Sequence, residues 1–192
     1  PSLEMKRLAL DKNAPAVAAC CEVDGVEVMF VSAHLFPFPE NATERKKEVK
    51  QILANRSGRA LVLMGDLNVR REEVAPLCEE HGLRAMALGA ATWNARVNKF
   101  YEDQQNRRDT QEFDQILSSG SVWVEGHLVC ACREYVAGKR FFLSDHFALL
   151  GILDVHACFG AAGGGVSTVA DKRREVLGGF RMQSAAGERV AT

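Results

Sequence analysis

Two histidines, three aspartates and an asparagine stand at or beside the ends of apolar runs. His34 follows Val26 to Ser32, and Asp66 and Asn68 close Leu61-Val62-Leu63-Met64-Gly65-Asp66-Leu67-Asn68. Asp114 lies in Glu112-Phe113-Asp114-Gln115-Ile116-Leu117, and Asp145 and His146 lie in Leu143-Ser144-Asp145-His146-Phe147. An apolar run that stops at Gly-Asp-x-Asn reads as a buried strand delivering a carboxylate and an amide to a sheet edge, where a site can be built. Imidazoles and carboxylates with no thiol or nucleophilic-serine motif suit attack by water assisted by a hard cation.

The elements that must position these groups follow from the pattern around them. Asp24-Gly25 is a two-residue hairpin turn, so Ala16 to Val23 is expected to pair antiparallel with Val26 to Ser32. A helical pattern over Ala42 to Leu53 separates that strand from the Gly65-Asp66 strand. A strand-helix-strand unit joins parallel neighbours, which brings both strand ends, and with them His34, Asp66 and Asn68, to one side of the sheet. Asn41 with Glu44 resembles a capping box, and Ser57-Gly58 is expected to end the helix. Phe36-Pro37-Phe38-Pro39 reads as an extended, Pro-stiffened loop on the edge where His34 sits.

Farther on, Val74, Leu77 and Cys78 suggest a short helix with Pro76 in its first turn and Gly82 behind its end. Tyr101 to Gln111 reads as a polar loop over the site edge. Phe113 to Leu117, Val122 to Cys130 and Phe147 to Leu153 read as further strands. From His156 the composition turns Gly- and Ala-rich, so the domain is expected to occupy residues 1–155, with 156–192 a tail that buries no core of its own.

Composition sets limits on function. The 192 residues are 47% apolar with a net charge of −1, enough for a core and without the basic surplus of a non-specific nucleic-acid binder. Charged residues or glycine break every apolar run short of the ~20 residues of a spanning helix, so no membrane span is expected. The basic pairs Arg70-Arg71, Arg107-Arg108 and Lys139-Arg140 read chiefly as solvated surface. The six cysteines lack C-x-x-C ligand spacing and fit reduced thiols, so an intracellular setting, nucleus or cytoplasm, is the expectation.

In this order, Ser32-Ala33-His34-Leu35, Gly65-Asp66-Leu67-Asn68, Thr92-Trp93, Phe113-Asp114-Gln115-Ile116 and Ser144-Asp145-His146 resemble the endonuclease/exonuclease/phosphatase superfamily. That superfamily includes deoxyribonucleases, abasic-site endonucleases, neutral sphingomyelinases, inositol-polyphosphate phosphatases and tyrosyl-DNA phosphodiesterases. Ala42-Thr43-Glu44-Arg45, Asn68-Val69-Arg70 followed by Glu73-Val74, and Thr92-Trp93-Asn94 make it most similar to the 5′-tyrosyl-DNA phosphodiesterase group. A Gly-Asp-Leu-Asn-x-Arg string is shared with the inositol phosphatases.

The resemblance implies an α/β (α+β) fold, a four-layer αββα sandwich with two facing mixed sheets. It implies a phosphodiester hydrolase dependent on Mg2+ (or Mn2+), with a DNA end as partner. By resemblance Asp66 orients and deprotonates the water, Asn68 holds water and phosphate in line, and His146 meets a non-bridging oxygen while Asp114 fixes its tautomer. His34 is a second phosphate donor, Asp145 belongs to the metal shell, Arg70 meets a backbone phosphate, and Trp93 is either a core anchor or a wall of the nucleic-acid groove. Complete members bring an Asn and the principal metal-binding Glu from a first half that nothing before Met5 supplies. The resemblance therefore implies that this half is absent and that the chain alone is inactive or nearly so. A lipid or inositol phosphoesterase is the second reading, favoured by an apolar lip of Phe36 and Phe38. A partner-binding remnant is the third.

Overall fold

The structure is a computed structural model and describes residues 3–10, 14–86, 90–96, 109–119, 122–129, 133–136, 139–142 and 144–155. The chain divides into two units, Pro1–Cys158 and Phe159–Thr192, and every described residue lies in the first. Cys130, Cys132, Cys158, Arg107-Arg108, residues 101–108 of the expected polar loop and the Gly- and Ala-rich tail lie outside the described residues.

The chain opens with β1 (Glu4–Leu8), β2 (Ala16–Val23) and β3 (Val26–Ala33), and Asp24 and Gly25, both at positive φ, form the turn between the last two. The expected hairpin register is present from Ala16 opposite Ala33 to Val23 opposite Val26. The helix α1 (Ala42–Ala54) then leads into β4 (Ala60–Asp66), which lies parallel to β3 with Val28 opposite Ala60 and Ser32 opposite Met64. The helix α2 (Arg71–His81) and β5 (Leu83–Ala85) follow. The short strands β6 (Trp93–Asn94) and β7 (Thr110–Gln111) pair with each other, so the end of the expected polar loop is strand. β8 (Asp114–Ser119) enters between β4 and β5 and completes a six-stranded sheet of order β1-β2-β3-β4-β8-β5.

Hydrophobic alternation decides the layers. Alternate residues of the sheet, including Ala16, Ala18, Met29, Val31, Leu61, Leu63 and Leu117, bury one face against Val49 and Ile52 of α1 and Leu77 of α2. The other face presents Val28, Val62 and Ile116 to Val122, Leu149, Leu153 and Val155 of a second sheet, made of β9 (Val122–Val129) and β12 (Ala148–Val155). A last hairpin joins β10 (Arg133–Val136) to β11 (Lys139–Phe142). Three of the four sandwich layers are therefore present among the described residues, and the second sheet is represented there by one antiparallel pair.

Some local expectations are corrected. Asn41 makes no side-chain cap; its amide donates instead to the carbonyl of Pro37 at 2.6 Å, so the capping box is not formed. α1 ends at Ala54, where the N–H groups of Asn55 and Arg56 donate to the carbonyls of Ile52 and Leu53, and Ser57 and Gly58 make the turn beyond it. α2 starts at Arg71, which puts Pro76 inside the helix rather than in its first turn. Pro76 lies on the solvent face, where water can take the carbonyl that its missing N–H releases.

Gly65 leaves no room for a side chain between β4 and the end of β3. It stands at φ 126°, and a Cβ there would run into the carbonyl oxygen of Ala33. Gly65→Ala is expected to cost about 1–3 kcal/mol from the backbone conformation alone, with the clash added. A thermal midpoint unchanged by this substitution would contradict the account.

Candidate functional site

The ends of β3 and β4 meet the start of the antiparallel β8, and the polar groups stand there: His34 just past β3, Asp66 last in β4 and Asp114 first in β8. In the antiparallel register Asp66 pairs directly with Asp114, which aims both side chains to the same face. The chain leaves β3 at His34, whose N–H donates to the carbonyl of Pro15 (3.0 Å), while the N–H of Leu35 donates to the carbonyl of Asp66 (3.0 Å). That bond holds the exits of β3 and β4 side by side.

Asp66 divides its carboxylate between two tasks. Oδ1 accepts from the N–H of Asn68 at 3.0 Å, a local turn that fixes the side chain. Oδ2 faces Nε2 of His34 at 3.5 Å and Nε2 of His146 at 3.8 Å, which are charge contacts rather than direct hydrogen bonds. His146 in turn places Nδ1 2.6 Å from Oδ2 of Asp114. A carboxylate so close holds the proton on Nδ1 and leaves Nε2 turned toward Asp66. The result is a chain of groups from Asp114 through His146 to Asp66, with His34 opposite.

The supports of this chain come from the Thr92-Trp93 segment. The buried hydroxyl of Thr92 accepts from the N–H of Asp114 (3.0 Å), and its carbonyl accepts from the N–H of Phe147 (2.7 Å). Trp93 bridges to His146 through the backbone. The hydroxyl of Ser144 accepts from the N–H of His146 at 3.1 Å. Thr92 therefore ties the aspartate to Phe147, the residue after the histidine, a role that the sequence reading gave to no residue.

Asn68 is buried, takes a positive φ of 51°, and donates its side-chain N–H to the carbonyl of Leu35 at 3.1 Å. Asparagine tolerates this conformation better than most residues, which accounts for its place after Asp66-Leu67. The structure thus gives the amide a latch between two strand ends. Trp93 is only 9% exposed, with its ring centroid 6.0 Å from that of Phe113, so packing is the part the structure assigns to it, and little face is left for stacking. The Arg70 guanidinium lies 4.3 Å from the centre of the Phe113 ring, and its Nη1 is buried without a hydrogen-bond partner. A buried donor of this kind is costly unless a ligand oxygen satisfies it.

Two of the displaced titrations bear on proton transfer at the site. Burial first, and the neighbouring Asp114 carboxylate second, raise Asp66 above the usual carboxylate range, against the opposing pull of His146, the Asn68 N–H and His34. That makes Asp66 a better proton acceptor near neutrality. For His146, burial pulls the imidazole down, but the hydrogen bond and charge of Asp114, with the charges of Asp66 and Asp145, outweigh it and raise the net value. A raised histidine pKa contributes stability below the unfolded value of about 6.5 and loses it as pH rises through the folded value. Asp114→Asn is therefore expected to move the His146 titration, followed by NMR of its ring protons, to lower pH. A midpoint unmoved or raised would contradict the pairing.

Among the described residues no three His, Cys, Asp or Glu side chains converge in metal-ligand fashion. Asp145 is half-buried beside His146 and is felt there as a charge. One carboxylate outside the Asp66–His146–Asp114 chain does not fit by itself the six-oxygen shell that magnesium demands.

Sequence reasoning also missed a buried charged cluster behind the site. Arg45 is 1% exposed, donates from Nε and Nη2 to both carboxylate oxygens of Glu73 (3.0 and 2.6 Å), and donates from Nη1 to the carbonyls of Phe36 (3.1 Å) and Phe38 (2.6 Å). Glu48, equally buried, accepts from the N–H of Phe36 at 3.0 Å. Arg45, Glu48, Val49 and Ile52 share one helix face by their spacing, and that periodicity is the signal that could have found the pair.

No protein-family profile and no curated protein matches the sequence. Solved structures do. Truncated Caenorhabditis elegans TDP2 matches with a TM-score of 0.58 and 23% identity, covering 77% of this chain and 64% of that one. D. rerio TDP2 complexed with single-strand DNA product matches with a TM-score of 0.60 and 17% identity over 80% of this chain and 68% of that one. The chain has the endonuclease/exonuclease/phosphatase fold. Staphylococcus aureus beta toxin, in a mutant with bound magnesium ions, shares that fold with a TM-score of 0.57 and 16% identity over 72% of this chain. The chain spans 64% of the truncated nematode structure and 57% of the beta toxin structure.

Proposed function

We propose that the chain carries the site of a phosphodiester hydrolase in which water attacks phosphorus, acting on DNA ends such as 5′-tyrosyl adducts. The observation behind this reading is the Asp114–His146–Asp66 chain facing His34. A phosphodiester is an anion, so hydrolysis needs a base to align and deprotonate water and donors for the non-bridging oxygens. Asp66, with its raised proton affinity, is the base. His146, whose raised pKa favours the imidazolium with its Nδ1–H on Asp114, and His34, 59% exposed at the mouth, present their Nε2 atoms to the phosphate. Arg70, with its unpartnered Nη1, meets a further phosphate oxygen. The DNA-bound relative and the Asn68-Val69-Arg70 motif support the substrate.

Magnesium is the proposed cofactor, with Asp145 as the available ligand. Because the described carboxylates form no cage for it, these 192 residues are proposed to turn over slowly on their own. The setting is proposed to be intracellular. A second reading, a lipid phosphodiesterase, rests on Phe38 standing 60% exposed while Trp93 is buried.

The test is hydrolysis of a 5′-tyrosyl oligonucleotide and of sphingomyelin by this chain and by a form extended upstream from its transcript, with magnesium and with chelator. Chelator-sensitive release of tyrosine supports the first reading. Turnover of the lipid alone would replace it with the second, and no turnover of either by both forms would remove the hydrolase reading.

A further inference from the structure

Phe38 combines exposure with a backbone that a bulky residue rarely adopts. Its φ is 72° and its ψ 145°, close to territory used almost only by glycine, and Pro39 follows it, which narrows its choices further. Such a conformation persists only when its surroundings over-determine it. Here they do. The Phe38 carbonyl accepts from Arg45 Nη1 at 2.6 Å and from the N–H of Asn41 at 3.2 Å. The Pro37 carbonyl accepts from the Asn41 amide at 2.6 Å, and Phe36 is held at its carbonyl by Arg45 and at its N–H by Glu48. Two side chains, each 1% exposed, thus pin a loop whose one outward ring is Phe38.

The place of this ring is set by the chain. Phe38 lies four positions after His34, so their Cα atoms lie within about 14 Å. Leu35, between them, is tied to Asp66 and Asn68. The ring is therefore carried by the loop that leaves the strand end on which His34 stands. Phe36, next to it, is half-buried, so the two phenylalanines do not form a continuous apolar lip. A lipid surface takes a broad apolar face, whereas one fixed ring with an open side suits one planar ring.

We propose that Phe38 is the stacking residue for the nucleobase next to the scissile phosphodiester, presented in a strained conformation by the buried Arg45–Glu48 pair. This rests on the DNA-end reading above. It supplies the platform that Trp93, being buried, does not offer. A ring already fixed before substrate arrives loses little freedom on binding, which is where preorganisation gains affinity.

The experiment is fluorescence anisotropy of a labelled single-stranded oligonucleotide titrated with the full chain and with Phe38→Ala, Phe38→Trp and Phe38→Gly. Loss of one stacked base is expected to weaken binding about 5- to 100-fold in Phe38→Ala and in Phe38→Gly, with Phe38→Trp retaining the wild-type affinity. Phe38→Gly is expected in addition to raise the thermal midpoint, because it releases the strained φ. Absence of oligonucleotide binding by the wild type, equal affinity in Phe38→Ala, or equal loss in Phe38→Trp and Phe38→Ala would overturn the proposal. So would Phe38-dependent binding to sphingomyelin vesicles with oligonucleotide affinity unchanged, since the ring would then serve a lipid. Phe38-dependent oligonucleotide binding without tyrosyl release would support the stacking role and count against the proposed reaction instead.

Discussion

Asp66→Asn is expected to lower phosphodiester hydrolysis by about 10²- to 10⁴-fold, the range for loss of a positioned general base. The substitution is nearly isosteric. Its Oδ1 can still accept from the N–H of Asn68, so the turn that closes β4 is kept. Burial and the Asp114 charge already disfavour the ionised carboxylate, as its raised titration shows. Removing that charge should therefore leave the thermal midpoint unchanged or raise it. Activity and stability moving apart is the signature, read by initial rates beside a melting curve. Parallel loss of both would mean that Asp66 serves the fold rather than the reaction.

The second large effect is on stability. Arg45→Met is expected to destabilise the described unit by about 3–5 kcal/mol, as when one partner of a buried ion pair is removed. Methionine fills much of the volume but leaves Glu73 and the carbonyls of Phe36 and Phe38 without their donor. At about 2–4 °C per kcal/mol for a domain of this size, the melting point should fall by roughly 6–20 °C. Amide exchange should rise first in residues 36–38, whose bonds the guanidinium holds. A change of under about 1 kcal/mol, as for an exposed pair, would show that the cluster is not what fixes the loop.

The framework was legible because it is written in periods and turns. The Asp24-Gly25 turn, the β3–α1–β4 crossover and the apolar run ending at Gly65-Asp66 each follow from local rules, and they suffice to bring His34 and Asp66 to 3.5 Å. The direct pairing of Asp66 with Asp114 was not legible, because it depends on a register between strands nearly fifty residues apart. Arg45 and Glu48 escaped because charged side chains read as solvent-facing until their three-dimensional partners are known. Thr92 was overshadowed by the tryptophan after it, although its hydroxyl and carbonyl tie Asp114 to Phe147, the residue after His146. Asn41 was misread for a related reason, since its amide found a closer acceptor in the loop before the helix.

The central claim is that Asp66 and the two histidines direct water onto phosphorus. The most direct test is turnover of a 5′-tyrosyl oligonucleotide in water enriched in oxygen-18, with magnesium, using the more active of the two forms of the chain. The account predicts a single heavy oxygen in the phosphate product, none in the released tyrosine, and both products formed about 10²- to 10⁴-fold more slowly with Asp66→Asn. Heavy oxygen in the tyrosine, or undiminished release by Asp66→Asn, would contradict it.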